Sequence, residues 1–397
     1  MAKIPSISMI PSGYKKDKIY SVLPTSGAGD FDFTRSSTAT RVNARGLIET
    51  VATGVPRLEY TLLNGVVNDC PSLLLEPQSS NLITYSEDFT QSSWTSLSGA
   101  QLSATTTVTP SGSTNAVRVK NVGGANNDLR SLVSITSGLT YTSSVYIRRV
   151  SGVGSVIFRD VNNGGNSITL TSEWQKFYST VLSTSGNGRF YLELSTLDDE
   201  IEVWGAQLEQ QSYATSYIPT SGSAVTRVAD TASGSGDAST FNSLEGVLYA
   251  EISALADDLT NRFIILNDGS ISNRLTFRYR TTSNQISMEV HIGGTEKFSL
   301  EFILNDITVN QKIALKYKKD DYALWVNGVE VSTSALNDVF TANTLNNIDF
   351  KGFGQDFYGN TKQLQYYDSA LNDSELETLT SWTSFTEMAN GQSYTIK

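Results

Sequence analysis

The sequence predicts an all-β chain: an irregular N-terminal region followed by two β-sandwich (jelly-roll) domains. Three observations carry that prediction. Apolar residues alternate with polar ones at period two along many short segments. Gly/Asn/Ser clusters such as NVGGANND (121–128) and VNNGGNS (161–167) separate those segments. The composition suits half-wet pleated surfaces, because 95 of the 397 residues are Ser or Thr and only 17% are charged. A chain this polar would be disordered without apolar area, and 16 Phe, 18 Tyr and 5 Trp supply it.

The elements follow in chain order. Residues 1–78 hold most of the eight prolines, the only cysteine (Cys70) and a basic cluster at Lys15, Lys16 and Lys18. Strand alternation is weak there, so this region is expected to be irregular. A first sandwich is expected over 79–230, where Phe190, Leu192 and Leu194 alternate with Tyr191 and Glu193. Residues 231–240, containing ASGSGDAST, read as a flexible linker. The second sandwich is expected over 241–384. Leu275, Phe277 and Tyr279 alternate there with polar residues, as do Ile286, Met288, Val290 and Ile292, and then Ile313, Leu315 and Tyr317. YALWV-NG-VEV (322–331) predicts a hairpin, since Asn327-Gly328 accepts the positive φ angles of a type I′ turn. One helix is predicted within 370–382, capped by Asn372 with Glu375 three residues on. Residues 385–397 read as a C-terminal tail.

Several function classes are excluded. One Cys makes no intrachain disulfide, and one His with one Cys cannot build a zinc finger or a two-imidazole site. The longest apolar runs, such as Leu73–Leu75 and Phe263–Leu266, are strand-sized, far short of the roughly 20 residues of a membrane helix. The opening MAKIPSISMIPSGYKKDK has no apolar signal-peptide core, so a soluble protein made in the cytoplasm is expected. A net charge of −11 opposes binding to a phosphate backbone, so no nucleic-acid partner is expected.

Two stretches resemble known families. IPSGYKKDKIYSVLPTSGAGDFDFTRSSTATRVNARGLIE, then GVPRLEY and CPSLLLEPQSSNLITYSEDFTQSSW, is similar to a region common in tailed-phage appendage proteins. The phrase WGAQLEQQSYATSYIPTSGSAVTRVAD (204–230) resembles the close of the carbohydrate-binding-module-like jelly roll that follows it there. LWVNGVEV, with FYGNTKQLQYYDSALNDSELETL, resembles the end of a laminin-G/concanavalin-like lectin sandwich. The resemblance implies a virion structural protein, a head or tail fibre or spike exposed on the particle surface. Residues 1–78 would attach it to capsid, portal-tail or fibre-adaptor proteins, or organise subunits. The sandwiches would hold host-surface or mucosal glycans, and a homotrimer is expected by analogy with phage fibres. The alternatives are a purely structural decoration or adaptor protein and a glycan-depolymerising tailspike.

Carbohydrate recognition needs aromatic faces for the apolar side of a sugar ring and planar polar groups for its hydroxyls. In the first sandwich the candidates are Trp94, in a turn-rich stretch, Tyr146 and Arg148, which share the face opposite Val145 and Ile147, and Tyr191, opposite Phe190 and Leu192. In the loop GFGQDFYGN (352–360) they are Asp356, Tyr358 and Asn360. The competing reading packs the same aromatics into a second face or a subunit interface. Trp174, Trp204 and Trp325 are expected to pack. No cofactor is required, but the resemblance raises a structural calcium, for which Asp198, Asp199 and Glu200 offer oxygen ligands. Non-enzymatic binding is favoured, since no G-x-S-x-G nucleophile elbow is present and His291, with Glu289, falls on a wet face. Cys70 is expected to be small and buried, and Lys15, Lys16 and Lys18 to meet an acidic virion surface.

Overall fold

The computed structural model describes residues 3–381 apart from Asn64, Ser98, residues 124–126 and Phe353. The expected C-terminal tail and Trp382 lie outside the described residues. Nearly all regular structure is antiparallel β, in two sandwiches.

In the first sandwich, one sheet runs in the order Trp94–Leu97, Asn127–Ser134, Asn187–Leu194, Val156–Arg159, Gly165–Ile168. The other runs Ala100–Ala104, Val117–Asn121, Glu200–Glu209, Thr140–Ser151, Gln175–Leu182. The predicted alternation fills the space between them: Phe190, Leu192 and Leu194 from one sheet meet Val145, Ile147, Ile201 and Val203 from the other. Side chains on successive residues point to opposite faces. Tyr146 and Trp204 therefore stand on the outer face of the second sheet.

The second sandwich packs a five-stranded sheet (Thr295–Ile303, Gln285–Ile292, Arg274–Tyr279, Arg262–Asn267, Asn347–Asp349) on an eight-stranded one. The centre of the larger sheet is Gln311–Lys318, Glu245–Ala254 and Gly359–Tyr367. Its far side is the predicted hairpin, Tyr322–Val326 and Val329–Ser334, turned by Asn327 and Gly328 at φ 49° and 85° as a type I′ turn requires. The helix spans Asp373–Ser381. Asn372 Oδ1 accepts the Glu375 N–H at 2.9 Å and Glu375 Oε2 accepts the Asn372 N–H at 2.8 Å, the reciprocal cap that the spacing predicts. Leu376 and Leu379 seat it on Val247, Tyr249, Trp325 and Tyr367, so Trp325 packs as expected.

The N-terminal region departs from expectation. Ile7–Met9 pairs with Gly359–Tyr367, and Val66–Leu75 with Arg57–Leu63 extends the same edge, so residues 1–78 complete the larger sheet of the second sandwich. Their strands read weakly in sequence because most are two to four residues long, too short to display a period. Ile7, Met9, Ile19, Phe31, Phe33, Leu73 and Leu75 nevertheless join the second core. The expected flexible linker is likewise tied down. Thr231–Ser233 pairs with Phe31–Thr34, and Ser235, fully buried, exchanges backbone hydrogen bonds with Ile348 at 3.1 and 2.8 Å. Its small residues serve close passage: a side chain on Gly236, at φ +86°, would strike the Phe241 ring. Cys70, expected to be buried, lies exposed on the strand Val66–Leu75.

Candidate functional site

Where the N-terminal region meets the first sandwich, three arginines and two carboxylates are sealed from water. Side-chain exposure is 3% or less for Arg35, Arg57, Arg227, Glu76 and Asp230. Asp230 accepts from Arg35 Nη1 at 3.0 Å, from Arg57 Nη2, and from the Glu76 N–H at 2.9 Å. Glu76 Oε2 accepts from Arg57 at 2.5 Å, Arg227 at 2.6 Å and Ser216 Oγ at 2.6 Å, while Oε1 accepts the Ser216 N–H at 2.7 Å. Burial alone would push the Glu76 carboxyl up, but the Arg227 and Arg57 charges outweigh it and hold it at about 2.

Above this cluster opens a cleft of about 560 Å³. Its first wall is the outer face of the sheet containing Thr140–Ser151 and Gln175–Leu182. Tyr146 stands directly across from Lys176 in the strand register, and the Lys176 ammonium lies 5.8 Å from the Tyr146 ring centroid. Trp174, just before that strand, is half-buried and anchored by its Nε1–H to the Val108 carbonyl at 2.8 Å. Trp204, completely buried, packs beneath Tyr146 and Tyr217 with centroids 5.6 and 4.7 Å away. The opposite wall comes from the N-terminal region: Thr40, Arg41 and Val42 from Ala39–Val42, Ile48, and Glu59 and Tyr60 from Arg57–Leu63. Leu74 and Asn360 of the large sheet complete the lining. Thr40 Oγ1 donates to the Tyr217 carbonyl at 2.5 Å, which fixes this wall to the first sandwich.

The cleft's charges are unusual. Arg41 is satisfied by Glu49 at 2.8 Å. Lys176 Nζ donates to the Thr215 carbonyl at 2.7 Å, and burial lowers its pKa against the pull of Glu209, Glu76 and Glu59. Burial pushes the Glu59 carboxyl up to about 7, although Oε2 accepts the Val42 N–H at 2.7 Å and Arg57 is near. The surface thus combines aromatic faces (Tyr60, Tyr146, Trp174) with hydroxyl, amide, ammonium and carboxyl groups. That set suits a polyhydroxylated ring compound.

Of the sequence-predicted residues, the cleft gathers Tyr146 and Asn360, whose Oδ1 accepts from Ser72 Oγ at 3.1 Å. The rest lie elsewhere. Trp94 is 6% exposed in the first core, against Phe89 and Phe190, so its ring offers no face to a ligand. Arg148 is committed to Glu202 at 2.9 Å and to the Ser172 carbonyl at 3.0 Å. Tyr191 is on the outer face as expected, but it is buried under Arg159 and its hydroxyl donates to Asp128 at 2.8 Å. Asp356 accepts the Gly352 N–H at 3.1 Å within its own loop. Tyr358 is half-buried and its hydroxyl is pushed up to about 12 by burial. Phe357, between them, fills the second core and draws that loop inward.

The calcium ligands are also reassigned. Asp198 and Glu200 pair with Lys120 at 3.2 and 3.3 Å, and Asp199 with Arg149 at 3.1 Å. Three carboxylates each held by a cation do not form a cation's cage. Glu289, expected to be wet, is buried under Arg278 and Arg280 at 2.5 and 2.9 Å. His291 sits between Arg274 at 3.0 Å and Glu296 at 3.7 Å. The converging ligand atoms of Glu289, His291 and Glu296 are therefore already crowded by guanidinium groups. Lys15 and Lys18 belong to a small hairpin (Tyr14–Lys15, Lys18–Ile19), with Lys18 on Asp32 at 3.1 Å and Lys15 and Lys16 exposed.

Sequence reasoning missed Glu59 and Lys176; Trp174, expected to pack, does pack against the Ile48, Trp204 and Tyr217 cluster while also lining the cleft. Trp174 and Lys176 do carry a signal, since they share the face opposite Phe177, which packs on the core. Glu59 carried none, because its partner wall is distant in sequence.

These features define a two-sandwich β-protein with an aromatic, charged cleft at the joint. No protein-family model matches the chain, and no curated protein sequence matches it. Partial likenesses to solved structures exist. Domain 4 of AbnA, a GH43 extracellular arabinanase from Geobacillus stearothermophilus, in complex with arabinotriose, shares 12% identity over 43% of this chain and 83% of that one, with a TM-score of 0.32. The native heptameric SAP-like pentraxin from Limulus polyphemus shares 10% over 36% and 73%, with a TM-score of 0.30. The enzymatically active domain of tailspike protein 4 of bacteriophage CBA120 shares 11% over 32% of this chain and 21% of that one, with a TM-score of 0.25. At these levels the likenesses assign no function.

Proposed function

We propose that this protein is an exposed fibre or spike of a tailed-phage virion that binds host-surface or environmental glycans in the cleft between Tyr146, Trp174 and Glu59. The observation that carries glycan binding is the cleft itself: about 560 Å³, walled by the aromatics Tyr60, Tyr146, Trp174 and Tyr217 and edged by polar groups that reach hydroxyls. The phage setting rests on the resemblance of the N-terminal and 204–230 phrases. A homotrimer is the proposed state, in which weak single sites gain from being displayed together.

Binding is favoured over bond cleavage by the state of Glu76. Cleavage by paired carboxylates needs both groups open to the substrate. Here Glu59 has only one backbone donor, but both Glu76 oxygens are covered by Arg57, Arg227 and Ser216.

Glycan-array binding by the full chain tests this reading. Trp174→Ala is expected to weaken any hit by about five- to thirtyfold, through loss of a stacking face worth roughly 1–2 kcal/mol. Its far-ultraviolet circular dichroism should stay unchanged, because the ring is only half-buried. No array signal at high valency would leave the decoration or adaptor role instead, and release of reducing ends from a bound polymer would restore the tailspike.

Particle attachment needs a test that spares the fold, since residues 1–78 supply core strands. Reversing the exposed lysines of the basic hairpin (Lys15→Glu with Lys16→Glu), which leaves the Lys18–Asp32 pair in place, is expected to leave unfolding unchanged and to reduce co-sedimentation with particles several-fold. Normal incorporation would refute attachment through these lysines.

A further inference from the structure

We infer that the cleft selects acidic glycans, seating a sugar carboxylate against Lys176 while the ring lies on Trp174 or Tyr146. This deepens the glycan reading and rests on it. Lys176 is a cation without a counter-ion: among the described residues no carboxylate lies within ion-pair reach of it. The acidic groups around it are engaged elsewhere. Glu76 is held by Arg57, Arg227 and Ser216. Glu209 accepts from Ser79 Oγ at 2.6 Å and from the Thr215 N–H at 3.1 Å. Among the described residues the Thr215 carbonyl alone accepts a hydrogen bond from this three-donor ammonium. Arg41, the other cation on the cleft wall, already pairs with Glu49.

A ligand entering the cleft strips water from the Lys176 ammonium. A neutral sugar replaces that water with hydroxyl oxygens alone, whereas a carboxylate restores both hydrogen bonds and countercharge, and charge-assisted bonds are about twice as strong. Glu59 on the facing wall modulates this. Burial holds its carboxyl near 7. Below that pH it is neutral and can donate to the ligand; above it, a second negative charge faces the sugar carboxylate. The charged groups that bear on Glu59 are Arg57, Glu76 and Lys176, with Arg41 on the same lining. Those that bear on Lys176 are Glu209, Glu76, Glu59 and Arg227. Through Glu59, acidic-glycan affinity falls as pH rises through about 7.

The test measures binding of the full chain to uronate and sialylated trisaccharides and to the neutral methyl ester of each. Ionic strength is fixed at about 0.15 M, because the net charge of −11 repels polyanions at long range. An acid is expected to bind at least about tenfold tighter than its ester at pH about 6, and the ratio to shrink by pH about 8. Lys176→Met should weaken the acid far more than the ester and so erase the ratio, and Glu59→Gln should flatten its change between the two pH values. Equal affinity for acid and ester overturns acid selection but leaves the glycan reading intact. Binding of neither class overturns both. A ratio that survives Lys176→Met overturns the assignment to this lysine.

Discussion

Asp230→Ala is expected to cost about 3–5 kcal/mol of folding stability, the range for breaking a fully buried ion cluster by removing one partner. The substitution leaves Arg35 and Arg57 facing each other without the carboxylate that separates them, in a site with no access to water. It also removes the acceptor of the Glu76 N–H. Because Arg35, Arg57 and Glu76 come from the N-terminal region and Arg227 follows the first sandwich, the damage falls on the joint between the two halves. Chemical denaturation should show an earlier transition, with the sandwiches unfolding separately, and the cleft should lose its facing wall. A single transition within about 1 kcal/mol of the parent would show that the cluster is not what holds the joint.

Acidification is the second large effect. Glu76 is held at about 2 in the fold against an ordinary value of 4.5. A carboxylate depressed in this way contributes stability that is fully present above 4.5 and is lost as pH falls through 2. The displacement corresponds to about 3 kcal/mol. Unfolding followed across that window should therefore show a steep acid loss, and Glu76→Gln, although less stable throughout, should show a shallower one. Glu59 acts with the opposite sign. Its raised pKa favours the fold below 4.5, and that contribution is lost as pH rises through about 7. Glu59→Gln should accordingly gain stability over the parent at pH about 8 but not at pH about 4.

The strands, the Asn327-Gly328 hairpin and the Asn372 cap were legible because each is decided by residues adjacent in the chain. The charge cluster was not. Arg57, Glu76 and Asp230 each sit in a local pattern that reads as an ordinary solvated charge, and their partners are 19 and 173 residues away. The same distance hid the cleft. Alternation correctly put Tyr146, Arg148 and Tyr191 on the outer faces of their strands. It could not say that Glu202 and Arg159 would occupy two of them and that the N-terminal region would roof the third. Trp94 was misjudged because a turn-rich stretch has no period to show which way a ring points, and the ring turned into the core beside Phe89 and Phe190.

What this sequence determined by itself is its β character, its turn chemistry and the metal and disulfide sites it cannot build, since these depend on residue type and near-neighbour spacing. Only the tertiary structure decided that residues 1–78 complete the large sheet of the second sandwich and abut the first, and are not an appended arm. It alone brought Glu59 opposite Lys176. The physical reason is that long-range pairing, driven by buried edges and buried charge, is free to place on one wall residues that share no local pattern.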